Sequence, residues 1–186
     1  DNLSIDDCNK ANKINNDKLR ELLYLSTSMS LYDIAKVVHF CYKKHYIVGK
    51  IKNKLWYVFD GIKWKITEVG PYYRLSSEIV ELYERIKQEE ENKLNELNDG
   101  QQNEVEECMK KINIFNNLIQ KLKNVNTKEQ ICKECLYLFY DPDFMYRLDT
   151  NFNLICFENG VLNLETNKFG IGYPDQYLSI MIKDTG

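Results

Sequence analysis

The chain has 186 residues, of which 44% are hydrophobic and 28% charged, and its formal net charge is −3. These values are ordinary for a soluble globular protein that buries a core, as one domain or two small ones. No apolar run approaches the roughly 18 residues that a membrane span needs, and no signal sequence opens the chain, so we expect a protein that is not secreted and has no membrane partner.

The charge is unevenly distributed along the chain. Residues 36–65 hold eight lysines against one aspartate, and residues 66–110 hold twelve acidic residues against five basic ones. Such a basic block beside an acidic one bears on binding partners and not on the fold.

The first predicted elements are helical. Residues 1–17 are polar and are expected to be flexible, and a short helix is predicted over 18–25. Ser30 followed by Asp33 resembles a capping box, and apolar residues then recur at helical spacing, which predicts a helix over 31–43.

A β element follows. Strands are predicted at Tyr46–Val48, Lys54–Phe59 and Lys63–Thr67, with Asp60-Gly61 as the turn of a hairpin. Strand alternation separates Trp56 from Tyr57, so we expect one face of this hairpin to be core and the other to be partly basic and aromatic.

Two long helices are predicted next, from Ser76 or Ser77 to about Asn98 and from about Asn103 to Lys123. They form a helical hairpin that could protrude from the domain, and Glu89–Glu91 are interpreted as a solvated face. A further helix begins near Thr127 and ends at Asp141-Pro142, and residues 143–148 are expected to add one more helical turn.

The six cysteines (8, 41, 108, 132, 135 and 156) are scattered through apolar and helical contexts and do not frame short loops. This usage favours reduced thiols in an intracellular compartment. Cys132-x-x-Cys135 lies inside a predicted helix and has no second pair, so buried helix cysteines are favoured over a zinc or redox site, and we predict no metal site.

The C-terminal region predicts a second hairpin. Apolar runs at Leu154–Phe157 and Val161–Leu164 flank Glu158–Gly160, where Asn159-Gly160 suits the two positive-φ positions of a tight turn. A second break follows at 165–168. The predicted fold class is α+β, mostly helical with two small antiparallel β-hairpins, and residues 18–186 are expected to form a single domain.

The tract 42–66 is the best candidate for contact with a polyanion. Nucleic acid requires cations along its backbone, and single strands gain from flat rings on which bases stack. The open alternative is a half-buried sheet whose rings are core and whose lysines are ordinary surface residues. The candidate nucleic-acid-binding residues are Lys43, Lys44, Lys50, Lys52, Lys54, Trp56, Tyr57, Lys63, Trp64 and Lys65.

The C-terminal third also resembles a known family. The string Phe157-x-Asn159-Gly160-Val161-x-Asn163-Leu164, followed by Pro174-Asp175-x-Tyr177-Leu178-Ser179, resembles the region ahead of the ATPase core in superfamily 3 primase-helicases. These are proteins of poxviruses and other large DNA viruses, with phage and plasmid relatives. Asn163 stands where that family usually has Asp. Gly170, which follows Phe169, stands where that family often has a basic residue.

The resemblance implies a domain between a primase module and a ring-forming ATPase. The parent would be an ATP-dependent DNA helicase that uses ATP and magnesium, assembles as a homo-hexamer around DNA and acts with replication proteins at a viral replication site or in the host cytoplasm. This chain has no phosphate-binding loop and no primase carboxylates, so it is expected to hold no cofactor, to be catalytically silent alone, and to bind DNA and assist assembly.

A second hypothesis belongs to another class. The acidic helix 78–107 could be the working surface of a protein-interaction module that docks on a basic partner and has no nucleic-acid role.

Overall fold

The computed structural model describes residues 16–98 and 100–182. The longer helices are α1 (16–25), α2 (Leu31–Tyr42), α4 (Glu78–Glu96), α5 (Gln102–Leu122) and α6 (Val125–Leu138), and the single-turn helices are α3 (Tyr72–Leu75) and α7 (Phe144–Arg147). The strands are β1 (Tyr46–Lys50), β2 (Leu55–Phe59), β3 (Trp64–Thr67), β4 (Leu154–Phe157), β5 (Gly160–Asn163) and β6 (Lys168–Gly170). The predicted α+β class is therefore confirmed.

The chain divides into two compact units. The first contains the described residues up to Cys41 together with Pro71–Cys135, and the second contains Tyr42–Gly70 and the described residues from Leu136 onward. The expectation of a single domain over 18–186 stays a prediction. The flexible segment expected over 1–17 falls almost entirely on residues outside the described ranges.

The first unit is helical. The predicted helix over 31–43 is confirmed, and at its start the Ser30 hydroxyl oxygen accepts a hydrogen bond from the Asp33 N–H at 3.4 Å, as the capping pattern predicts. The predicted helical hairpin is also confirmed, since α4 and α5 pack against each other. Its buried stripe includes Ile79 and Tyr83 on α4 and Phe115 on α5. That this hairpin protrudes stays a prediction.

The second unit is built on two three-stranded antiparallel sheets, with strand orders β1-β2-β3 and β4-β5-β6. Both predicted hairpins are present as β2–β3 and β4–β5. The predicted strand at Tyr46–Val48 is present as β1 and completes the first sheet, whereas β6, the third strand of the second sheet, was not predicted. Two apolar clusters lie in this unit, one around Trp64 and Phe144 and the other around Cys156, Val161 and Leu178. The Trp64 N–H donates to the Leu178 carbonyl oxygen at 2.7 Å, which ties the first sheet to the C-terminal segment.

Within 16–98 and 100–182, no helix combines the length and the apolar character required to cross a lipid bilayer.

Candidate nucleic-acid interface

The three rings proposed as stacking platforms are buried. Trp56, Tyr57 and Trp64 are 4%, 6% and 2% exposed. A base can stack only on a ring face that solvent reaches, so the interpretation of these three residues as nucleic-acid contacts is wrong, and the alternative that they are core is correct.

Other side chains pack on both faces of the first sheet at its rings, which is why all three rings are inside. Tyr57 and Trp64 pack on Phe144 of α7, with ring centroids 5.0 Å and 5.2 Å apart. Trp56, on the opposite face, packs on Phe139 at 5.4 Å. The predicted alternation of Trp56 and Tyr57 is therefore right, but the prediction that one face carries exposed rings is wrong, because residues more than 70 positions away cover it.

The lysines of the tract lie at two opposite ends of this sheet. The turn lysines Lys50, Lys52 and Lys54 are exposed where β1 passes into β2. Glu68 follows β3 at the same end, and Asp141 lies beside β1, where its N–H donates to the Val48 carbonyl oxygen at 3.2 Å. The strand β2 separates the two ends by about 14 Å at the usual rise per residue.

At the opposite end, Lys63 and Lys65 are already in contact with other groups. Lys43 and Lys44 are exposed ahead of β1. Lys63 is half-buried and donates to the Ser179 carbonyl oxygen at 3.2 Å, and Lys65 forms an ion pair with Asp60. The structure thus places the ten candidate residues in a buried core and two lysine-bearing ends, and not in one interleaved surface.

The family motif forms the second sheet. Phe157 pairs with Gly160 across a turn made of Glu158 and Asn159, neither of which has a positive φ. The predicted turn centre at Asn159-Gly160 is therefore wrong by one residue. Glycine is required at 160 for a different reason, since a Cβ there would lie 2.4 Å from the Gly170 carbonyl oxygen of β6.

Other residues of this motif have distinct places. Val161 is buried beside Cys156, and Leu164 is 43% exposed after β5. The Asn163 Oδ1 accepts the backbone N–H groups of Glu165 and Thr166 at 2.9 Å and 3.1 Å. A carboxylate oxygen can accept the same two bonds, which explains how Asn can stand where Asp is usual.

The second phrase of the motif holds the unit together. The Pro174 carbonyl oxygen accepts the Trp64 indole N–H at 2.8 Å, and the Tyr177 ring packs on Phe144 and under the Arg147 guanidinium. The Asp149 carboxylate accepts the Ser179 N–H at 2.7 Å and also the Ser179 hydroxyl. Pro174, Tyr177 and Ser179 therefore hold the C-terminal segment against Trp64, α7 and Asp149.

The acidic stretch 78–107 is not one helix, because it is divided between α4 and α5. Many of its acids have partners within the unit: Glu89 pairs with Arg20, Glu91 with Lys87 and Glu107 with Lys111. Exposed glutamates remain at 81, 84, 96, 104 and 106.

Glu90 corrects the interpretation of Glu89–Glu91 as a solvated face. It is 1% exposed, and its carboxylate accepts the Tyr24 hydroxyl at 2.5 Å and the Lys93 ammonium at 2.9 Å. Burial opposes its charge, but these two hydrogen bonds prevail and hold the pKa of Glu90 below its usual value.

The cysteine pair lies within α6. Burial raises the pKa of Cys132 to about 12 and that of Cys135 well above its ordinary value, so both thiols stay protonated at neutral pH. Over the described ranges, no three His, Cys, Asp or Glu side chains are grouped so that they could hold a metal ion.

One feature of the second unit was not found from the sequence. A groove of about 530 Å³ is lined by Arg147, Thr150, Asn151, Leu154, Tyr173, Asp175, Gln176 and Tyr177. Two highly exposed rings, Tyr146 at 82% and Phe152 at 88%, neighbour its lining residues in the chain. In the sequence, the sign of an exposed ring here is Phe152 between the polar residues Asn151 and Asn153. A single aromatic residue has no periodicity from which its exposure could be predicted.

Comparison with known proteins identifies the family. Residues 35–183 match the family described as D5 N terminal like. A "Putative helicase" of Acanthamoeba polyphaga mimivirus is 33% identical over 95% of this chain, and a "Putative helicase" of Invertebrate iridescent virus 3 is 33% identical over 67% of it. The chain spans only 18% and 16% of the lengths of these two relatives.

The match covers most of the chain, and both relatives are proteins of large DNA viruses. The resemblance to the viral pre-helicase domain is therefore confirmed, and this chain belongs to the D5 N-terminal-like family.

Proposed function

We propose that the chain is a non-catalytic DNA-binding and assembly domain of a viral replicative helicase. The support for this proposal is membership of the D5 N-terminal-like family and similarity to viral proteins that are named as helicases. For the whole protein we propose helicase and primase activity, the use of ATP and magnesium, assembly into a homo-hexameric ring, and contacts with replication proteins.

The observation that carries the DNA-binding part is the group of turn lysines. Lys50, Lys52 and Lys54 are exposed within five positions of the chain, at one end of a sheet whose rings Trp56, Tyr57 and Trp64 are buried. Each of these ammonium groups that reaches a phosphate releases a counterion from the nucleic acid.

The lysines at the opposite end have a smaller role in this proposal. The ion pair of Lys65 with Asp60 and the hydrogen bond of Lys63 to Ser179 compete with phosphate for the same ammonium groups. We therefore expect replacement of Lys63 and Lys65 to weaken DNA binding less than replacement of the turn lysines.

The protein-interaction alternative rests on the exposed glutamates of α4 and α5. Glu89, Glu91 and Glu107 are already paired with basic side chains of the same unit, and Glu90 is buried. The negative charge that this stretch offers to a partner is therefore smaller than its sequence indicates. The turn lysines lack such internal neutralisation by an ion pair in the described structure, which favours the DNA-binding function.

The test is fluorescence anisotropy with a labelled 15-nucleotide single strand in low-salt buffer. The test variant replaces Lys50, Lys52 and Lys54 with glutamate, and the matched control replaces the exposed Lys110, Lys121 and Lys123 of the helical unit in the same way. We expect the test variant to lose at least tenfold in affinity and the control to lose much less. Equal affinities for the wild type and both variants, or no binding by the wild type, would overturn the proposal.

A further inference from the structure

The groove beside α7 has the lining of a nucleobase site. Its volume of about 530 Å³ falls within the range of pockets that hold small organic ligands. It combines two tyrosine rings with an arginine and two amide side chains, and the mixture of flat apolar faces with hydrogen-bonding groups matches the two chemical features of a base.

Its polar lining is rich in donors. The Asn151 Oδ1 already accepts the Asn153 N–H at 3.1 Å, and the Gln176 Oε1 accepts the Tyr173 N–H at 2.9 Å. The amide NH₂ groups of Asn151 and Gln176 are therefore the ends that remain for a ligand. The Asp175 carboxylate also lines the groove and is its one acidic acceptor among the described lining residues.

Arg147 adds an independent observation. Its guanidinium pairs with Asp141 and lies over the Tyr177 ring at 4.7 Å, yet its buried Nε–H has no hydrogen-bond partner in the part of the chain that the structure describes. A buried donor without a partner is costly, and a ligand carbonyl or phosphate oxygen would satisfy this one only if the Arg147 side chain shifts to present its Nε–H to the groove.

Two rings on residues that adjoin groove-lining residues in the chain are unusually open to solvent. Tyr146 precedes Arg147 and Phe152 follows Asn151, and they are 82% and 88% exposed. Rings with free faces are what successive bases of a single strand stack on, whereas the three rings in the lysine tract are buried.

We propose that this groove, together with the exposed rings of Tyr146 and Phe152 on residues that adjoin Arg147 and Asn151 in the chain, binds unpaired bases of single-stranded DNA. The proposal rests on the proposed DNA-binding function and gives the stacking surface that the lysine tract lacks. The amide NH₂ groups of Asn151 and Gln176 suit the two carbonyl oxygens of thymine, so we expect dT15 to bind more tightly than dA15.

The experiment measures the affinity of the 186-residue chain for labelled dT15, dA15 and a 15-base-pair duplex. The test variants are Tyr146→Ala and Phe152→Ala, which remove exposed rings, and the control is Tyr137→Ala, an α6 ring that is 69% exposed and whose neighbours in the chain do not line the groove. Each test variant is expected to weaken dT15 binding by roughly 5- to 100-fold and duplex binding by less than twofold, since stacking acts on unpaired bases.

Photocrosslinking locates the contact. A strand containing 5-bromodeoxyuridine is expected to crosslink to peptides that contain Tyr146, Phe152 or Tyr173, and crosslinks confined to other peptides would overturn the groove proposal. Binding that depends on the turn lysines but is equal in Tyr146→Ala, Phe152→Ala and Tyr137→Ala would overturn the groove proposal while the proposed function stands. Binding that depends on the two rings but not on those lysines would instead overturn the lysine argument.

Discussion

The buried carboxylate of Glu90 gives the sharpest stability prediction. The residue is 1% exposed on α4, and its hydrogen bond with Tyr24 joins α1 to the helical hairpin. Glu90→Ala removes this bond and the bond from Lys93, and it leaves the half-buried Tyr24 hydroxyl without its acceptor.

The magnitude follows from the two contacts. A hydrogen bond to a charged group contributes about 1.5–3 kcal/mol, and the Lys93 pair adds about 0–1 kcal/mol because the lysine side chain is 52% exposed. We therefore expect Glu90→Ala to lower the free energy of unfolding by about 2–4 kcal/mol. Tyr24→Phe should lower it by about 1.5–3 kcal/mol, since it removes one of the same bonds.

The assay is urea unfolding followed by circular dichroism, with the double variant included to measure coupling between the two positions. The control is Glu91→Ala, whose ion pair with Lys87 is long at 3.5 Å and should change the free energy by no more than about 0.5 kcal/mol. If Glu90→Ala and Glu91→Ala have the same stability, or if the double variant is simply additive, the account of the buried carboxylate is refuted.

Three further predictions concern pH, the second sheet and the thiols. Because the folded-state pKa of Glu90 lies below the ordinary 4.5, its stabilisation is present above that pH and is lost as the pH falls through the folded pKa, so Glu90→Gln should make acid unfolding less steep. Gly160→Ala should destabilise the chain by about 1–3 kcal/mol in urea unfolding, because the added Cβ meets the Gly170 carbonyl oxygen, whereas Gly170→Ala has open space and is the control. Equal effects at the two glycines would contradict this. Cys41, with a pKa raised by burial to about 11, and Cys132 should react slowly with a thiol reagent at pH 8 in site-resolved mass spectrometry, and rapid labelling of the folded chain would contradict the burial argument.

Local features of the fold were accessible from the sequence. Helix α2 follows from the spacing of its apolar residues and from Ser30 and Asp33 at its start, because capping and amphipathic periodicity are properties of a few neighbouring positions. The same holds for the hairpin β2–β3, which a short polar turn determines. The family resemblance likewise depends on a contiguous string near the C-terminus.

Features that depend on distant contacts were not accessible. Trp56 and Tyr57 alternate as predicted, but their burial is decided by Phe139 and Phe144, which lie far along the chain. Glu90 resembles its neighbours Glu89 and Glu91 in sequence, and only the approach of Tyr24 to one of the three separates it from them. Tertiary contacts, which no periodicity records, thus determine which polar groups are buried and which rings remain available.

The central claim is that the turn lysines bind the phosphates of DNA, and the salt dependence of affinity tests it most directly. Replacement of Lys50, Lys52 and Lys54 with glutamine should reduce the slope of log affinity against log salt for dT15 by about 2, since each lost phosphate contact on a single strand accounts for roughly 0.7. The matched replacement of Lys110, Lys121 and Lys123 should leave the slope unchanged. Identical slopes for both variants and the wild type would contradict the account.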